Sequence, residues 1–154
     1  MYRIEDLLEI VDRLRAPDGC PWDLAQTHES LIPCVVNETA EVLAAIKVRK
    51  DTGYSANLCE ELGDQLFLIL LQCQIASEEG QFDFSDVVQA VSEKMIRRHP
   101  HVFATEKQTV TNWDEIKKAE KALVPPEIES AKKQALERAY RDMREHLRRQ
   151  APFH

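Results

Sequence analysis

The sequence predicts an all-α fold: a bundle of four to five core helices followed by a charged C-terminal helix. Three observations predict it. Apolar residues recur at helical spacing through most of the chain. Turn formers are few, with 4 glycines and 7 prolines in 154 residues. Long segments carry no turn signal at all. The 44% hydrophobic and 31% charged composition is that of a globular chain long enough for one sizeable core. A net charge of −7 argues against non-specific nucleic-acid binding. That charge is uneven: the acidic excess lies before Pro126, and from Glu127 onward 7 Lys+Arg face 5 Asp+Glu.

Ile4, Leu7, Leu8, Val11 and Leu14 define a first amphipathic helix over roughly residues 3–15. Ala16-Pro-Asp-Gly-Cys-Pro21 breaks it, and Trp22 and Asp23 are expected in an irregular loop, with Trp22 plugging the core. Thr27 or Ser30 is expected to cap a second helix running to about Arg49, with Pro33 in its first turn. Ile32, Val35, Val36, Leu43 and Ile46 form its apolar stripe. Lys50 to Tyr54 reads as a turn, and Ser55 can cap a third helix that ends at Glu79-Gly80. This helix is apolar nearly all round from Leu66 to Leu71 and is predicted to be the most buried.

A fourth helix opens at Phe82-Asp-Phe-Ser-Asp86, with Asp83 as cap and Phe82 stapled to Val87. Val87, Val88, Val91 and Met95 are expected to form its buried stripe, and Pro100 ends it. Asn112-Trp-Asp-Glu115 has the form of a capping box and starts a short helix through Lys121. After Val-Pro-Pro126 the chain is helical and dense in charge, with a narrow stripe of Ile128, Ala131, Ala135, Ala139 and Met143 or Leu147. These breaks divide the chain into a domain over 1–121 and an appended linker and helix over 122–154. The four cysteines form no CxxC pair, and Cys34, Cys59 and Cys73 read as small buried hydrophobes. The N-terminus has acids where a signal peptide is apolar, and no run is long enough to span a bilayer. A cytoplasmic protein is expected.

The chemistry concentrates between Asn37 and Asp64. Glu38 and Glu41 are one pair of acids three residues apart on a helix, and Glu61 and Asp64 are another. Residues i and i+3 share a face, so two such helices side by side would bring four carboxylates together. Clustered anions repel unless a cation sits among them, and a hard divalent ion such as Mg²⁺ is the usual one. The first pair lacks the basic i+4 partners of an ordinary surface glutamate, since those positions are Val42 and Ala45. The second pair leads into the most apolar helix, where an unpaired charge is costly. Gly63 between them weakens the helix by roughly 1 kcal/mol against Ala, which suggests close approach of another helix or a ligand. Lys94 and Arg98 share a face as either cations suited to a helix C-terminus or a phosphate clamp. Trp113 and Lys117 repeat the i, i+4 spacing with an aromatic and a cation. His99-Pro-His101 lacks a third ligand and reads as structural or exposed.

Gly19-Cys-Pro-Trp-Asp23, Glu38-x-x-Glu41, Glu61-Leu-Gly-Asp64, Glu78-Glu-Gly-x-Phe82, Arg97-Arg-His-Pro-His-Val-Phe103 and Trp113-x-x-Ile-Lys117 occur in that order. The set resembles the MazG family of nucleoside triphosphate pyrophosphohydrolases over about residues 4–121. The resemblance implies an all-α bundle completed by dimerisation. It implies Mg²⁺, or Mn²⁺ in its place, held by Glu38, Glu41, Glu61 and Asp64, with Glu38 or Glu41 as general base. It implies substrate contacts at Lys94, Arg98, Trp113 and Lys117. The implied reaction takes a nucleoside triphosphate to the monophosphate and pyrophosphate. The implied partners are that substrate and a second copy, as a homodimer or a dimer of dimers. Many relatives carry an acid where this chain has Asn37, and a basic residue shortly before the second motif, where Ser55 to Glu60 of this chain has no cation. Two other readings stand beside this one. One is a narrower relative acting on dUTP, dCTP or phosphoribosyl-ATP. The other is a non-enzymatic helical interaction protein.

Overall fold

A computed structural model of the chain describes residues 1–103 and 113–150, and those residues hold helices and no strands. The helices are α1 (Ile4–Arg15), α2 (Pro21–Leu24), α3 (Ile32–Thr52), α4 (Ala56–Glu78), α5 (Phe84–Arg98), α6 (Pro100–Phe103), α7 (Trp113–Ala122) and α8 (Pro126–Gln150). None is long and apolar enough to cross a membrane. The chain divides into two compact units, Met1–Phe84 and Ser85–His154.

The first unit is organised by α4, as its apolar run predicts. Leu68, Leu70, Leu71 and Ile75 of α4 join Val11 of α1 and Leu31 in one buried cluster. Ile4, Leu7, Leu8, Cys34, Val35, Leu66, Phe67 and Phe84 pack around it. A three-residue connection, with Gly53 in the left-handed region (φ 78°), joins α3 to α4. So short a link forces the two long helices to run antiparallel, and they pack along each other.

Several boundaries differ from expectation, each for a local reason. Helix α3 starts at Ile32, and Leu31 precedes it without a side-chain cap. Thr27 and Ser30 instead close a turn on each other: Thr27 N–H donates to Ser30 Oγ at 2.9 Å, and Ser30 N–H to Thr27 Oγ1 at 3.2 Å. The helix continues to Thr52, absorbing most of the expected turn, because Gly53 supplies its stop. Ser55 precedes α4 as expected but makes no capping bond. The apolar stripe of α3 is covered along only part of its length. Val35 and Val36 are partly covered, whereas Ile32, Leu43 and Ile46 are exposed. A helix with one long neighbour can bury only one side.

Trp22 is not a core plug. It sits in the single turn α2, 53% exposed, while Asp23 beside it is buried. At the α5 boundary Phe84, not Phe82, reaches the core, and Phe82 stays exposed. Of the cysteines only Cys73 is buried; Cys34 is half-buried and Cys59 exposed. Gly63 also departs from expectation, since a Cβ there would meet nothing within 4 Å. Gly19 is the glycine under constraint: its Cβ would lie 2.8 Å from the Leu14 carbonyl carbon.

In the second unit α5 buries none of its residues, so the stripe expected to be buried is not. Val87 and Met95 are half-covered, and Val88 and Val91 are exposed. Helix α8 is exposed along most of its length, including Ile128, Leu136 and Tyr140. Asn112, the expected cap of α7, lies outside the described residues; the helix itself starts at Trp113.

Candidate active site

The α3–α4 pairing brings the two acidic motifs together. Thr39 Oγ1 donates to Gln65 Oε1 across the helices at 3.3 Å, which fixes their register beside Glu38 and Asp64. Carboxylate oxygens of Glu38, Glu61 and Asp64 then lie within 4.8 Å of one another. Asn57 Nδ2 donates to Glu61 Oε1 at 2.7 Å and holds that side chain one turn from its own backbone. Glu41 is exposed and lies outside this group of three, close enough to Glu61 and Asp64 to feel their charge.

Burial pushes the Glu38 carboxyl above the ordinary range, and the charges of Glu41, Asp64 and Glu61 add to the shift. Glu41 is raised too, by desolvation first, then by the charge of Glu61, its hydrogen bond with Glu61, and the charge of Asp64. Glu38 Oε2 is buried and has no hydrogen-bond partner among the described residues. A buried, unpartnered carboxylate oxygen facing other carboxylates is among the more costly arrangements in a protein. A hard divalent cation removes both penalties at once, because it takes oxygen ligands and cancels their charge. The donor set therefore fits a divalent metal ion, and the carboxylates of Glu38, Glu61 and Asp64 are the ones close enough to hold it together.

Lys94, Arg98, Trp113 and Lys117 belong to the second unit. Arg98 stacks on Trp113, its guanidinium carbon 5.2 Å from the ring centroid. His99 meets the same ring edge-on at 5.3 Å, and its Nδ1 hydrogen-bonds the Met95 carbonyl at 2.7 Å. His99 is thus structural, as expected. Lys117 Nζ pairs with Asp114 at 3.1 Å. Three of the four expected contact residues are therefore held by neighbours, and the unexpected holder is Glu120. It accepts from Arg98 Nη2 at 2.5 Å and from Arg97 Nη2 at 2.8 Å. These two guanidiniums pull its carboxyl down to about 2.

Sequence reasoning also missed Arg15. Its side chain is buried at the end of α1. Its Nε and Nη2 donate to Glu78 at 2.8 and 2.6 Å, and Nη1 donates to the backbone carbonyls of Asp23 and Gln26 at 2.6 and 3.2 Å. One residue thus ties α1, the α2 loop and the end of α4. The signal was present: Glu78 and Glu79 stand at a helix C-terminus, where the macrodipole disfavours acids, so a cationic partner was required.

Residues 26–103 match the model of the MazG nucleotide pyrophosphohydrolase domain. The chain is 45% identical over 128 residues to the nucleoside triphosphate pyrophosphohydrolase of Escherichia coli strain K12, covering 79% of this chain and 47% of that protein. It is 43% identical over 118 residues to the nucleoside triphosphate pyrophosphohydrolase/pyrophosphatase MazG of Thermotoga maritima, covering 76% and 45%. It is 48% identical over 117 residues to the uncharacterized protein YabN of Bacillus subtilis, covering 73% and 23%. The chain thus spans less than half the length of each of these relatives. A mazG-related protein from Thermotoga maritima has a crystal structure that superimposes with a TM-score of 0.59 at 35% identity, covering 77% of this chain and 98% of that one. With its helical hairpin, its paired acids and these matches, the chain belongs to the MazG nucleotide pyrophosphohydrolase family.

Proposed function

We propose that this chain is a Mg²⁺-dependent nucleoside triphosphate pyrophosphohydrolase, converting NTPs or dNTPs to monophosphate and pyrophosphate. The observation that carries the reading is the convergence of Glu38, Glu61 and Asp64 around the unpartnered Glu38 oxygen. The names borne by its relatives support it.

Glu38, Glu61 and Asp64 would hold the Mg²⁺, with Mn²⁺ as a substitute, and Glu41 completes the set at its edge. The ion supplies charge neutralisation and Lewis acidity toward a triphosphate. Of Glu38 and Glu41, Glu41 would act as general base: its exposure, its position at the rim of the group and its raised pKa support that role. It takes the proton of a water attacking the α-phosphorus. The bond to the β-phosphate bridging oxygen breaks, and pyrophosphate leaves with that oxygen. Glu38 shares the raised pKa but points an oxygen into the buried centre, which suits a ligand better than a base. Lys94, Arg98 and Lys117 would balance phosphate charge, and Trp113 would stack on the base or close the site. Residues 1–121 are the proposed catalytic portion, with 122–154 appended to it.

A homodimer is part of the proposal. Ile32, Leu43, Ile46 and Val48 on α3, with Leu62 and Ile69 on α4, leave large apolar side chains exposed on the helices that carry the acids. A second copy would cover them, and the mass in solution measures whether it does.

The test is a panel of NTPs and dNTPs with Mg²⁺, assayed separately for pyrophosphate and orthophosphate. Pyrophosphate release that depends on Mg²⁺ and is lost in Glu61→Gln is expected. Orthophosphate as the direct product overturns α-attack, and no turnover of any nucleotide overturns the enzyme reading.

A further inference from the structure

Arg97 and Arg98 are successive residues on α5, so helical geometry sends their side chains about 100° apart. In the structure both guanidiniums nevertheless meet at one carboxylate. Arg97 Nε and Nη2 lie 3.0 and 2.8 Å from Glu120 Oε1, and Arg98 Nε and Nη2 lie 3.0 and 2.5 Å from Oε2. Each arginine spends the same edge of its fork on Glu120, and the Nη1 of each lies outside the contact. Arg98 is fixed a second time by the Trp113 face. Arg98, Lys117, Glu120 and Lys132, with the Lys121–Glu129 ion pair, also line one cavity of about 190 Å³, roomy enough for a phosphate group. Two cations sharing one anion keep a net positive charge, so the arrangement is oriented without being neutralised.

We propose that Glu120 is a positioning residue that holds Arg98, with Arg97 beside it, to receive the polyphosphate of a nucleotide. The inference rests on the triphosphate reading above and adds to it a residue that contacts no substrate itself. Two long arginine side chains left free would each lose considerable rotamer entropy on meeting a phosphate. Glu120 removes that loss beforehand, which is why it strengthens binding although it is an anion. The opposite role, a carboxylate competing with phosphate for Arg98, predicts the opposite sign for its removal.

The experiment is a double-mutant cycle on the full chain, using Glu120→Gln, Arg98→Lys and both together. Each protein is titrated with an α,β-methylene nucleoside triphosphate and Mg²⁺, and its KM and kcat are measured with the best hydrolysable nucleotide. Glu120→Gln is expected to weaken binding and raise KM about tenfold with little change in kcat. In the Arg98→Lys background it is expected to add almost nothing. Glu120→Asp, which keeps the charge, is expected to recover part of the loss and serves if Glu120→Gln fails to fold. Unchanged or tighter binding on removing Glu120, or effects that simply add, overturns the proposal while leaving the enzyme reading intact. Binding that follows the expected pattern without any hydrolysis overturns the enzyme reading and keeps this one.

Discussion

Removing a ligand should make this protein more stable. Glu38 faces two other carboxylates with oxygens within 4.8 Å. At an effective dielectric near 20, unit charges at that separation repel by roughly 3.5 kcal/mol per pair. Asp64 is exposed, so solvent screening lowers the penalty to about 1–3 kcal/mol. Glu38→Gln removes the charge and gives the buried position a donor. In chelator, its melting temperature should therefore exceed that of the parent by a few degrees, at about 2–4 °C per kcal/mol for a chain of this size. With Mg²⁺ about 100-fold above its dissociation constant the parent should gain about 2.7 kcal/mol. The variant, short of a ligand, should gain much less, so the two melting curves exchange order. Differential scanning fluorimetry in chelator and across a Mg²⁺ series measures both. The sign with pH follows. Glu38 and Glu41 are raised above the ordinary value of 4.5 in the folded chain, so their penalty is fully present above the folded pKa values. It is relieved as pH falls through those values, and the relief is complete below 4.5, the unfolded value. Their contribution to the metal-free parent is thus stabilising on mild acidification, and Glu38→Gln should flatten that slope. A parent whose melting temperature ignores Mg²⁺ and Mn²⁺, or a Glu38→Gln protein less stable than the parent in chelator, refutes the reasoning.

Four further outcomes follow from the packing. Arg15→Ala should destabilise by roughly 2–4 kcal/mol, below the usual range for a broken buried pair because Glu78 is partly exposed, and Arg15→Lys should not restore the loss; urea unfolding measures both. The same pair should lose its contribution at low pH. Glu78 is held below the ordinary carboxylate range by Arg15, so its stabilisation is present above the unfolded value and disappears as pH falls through the folded one. Gly19→Ala should cost about 1–3 kcal/mol, since its Cβ meets backbone that cannot move aside. Gly63→Ala meets open space and should raise stability by up to about 1 kcal/mol; a drop in melting temperature would show that a second body approaches this turn.

The fold was legible where one helix face decides it. The Leu66–Leu71 run identified the most buried helix because burial on all sides leaves an unmistakable apolar pattern. The paired acids were legible because spacing of three on a helix fixes a shared face before any tertiary contact forms. What periodicity cannot report is how many faces find a partner, so the stripe on α5 was read correctly as apolar and wrongly as buried. Trp22 failed for a related reason: its size argued for the core, but Pro21 starts a helical turn that aims the ring outward and Asp23 inward. Arg15 and Glu120 escaped because their partners lie 63 and 22 residues away, and ion pairs at such separations leave no local period. The separation of Glu41 from the three tightest carboxylates was equally beyond spacing, which treats all four as equivalent.

The grip of Arg15 on the segment after α1 is taken through main-chain oxygens of Asp23 and Gln26, which every amino acid possesses. That makes the tether indifferent to which side chains are displayed between them. The outward-facing positions Trp22 and Leu24 can therefore drift without loosening the loop, whereas Arg15 and Glu78 must change together or not at all. A deep mutational scan of this stretch should show the contrast as tolerant exposed positions framed by two intolerant charges more than sixty residues apart.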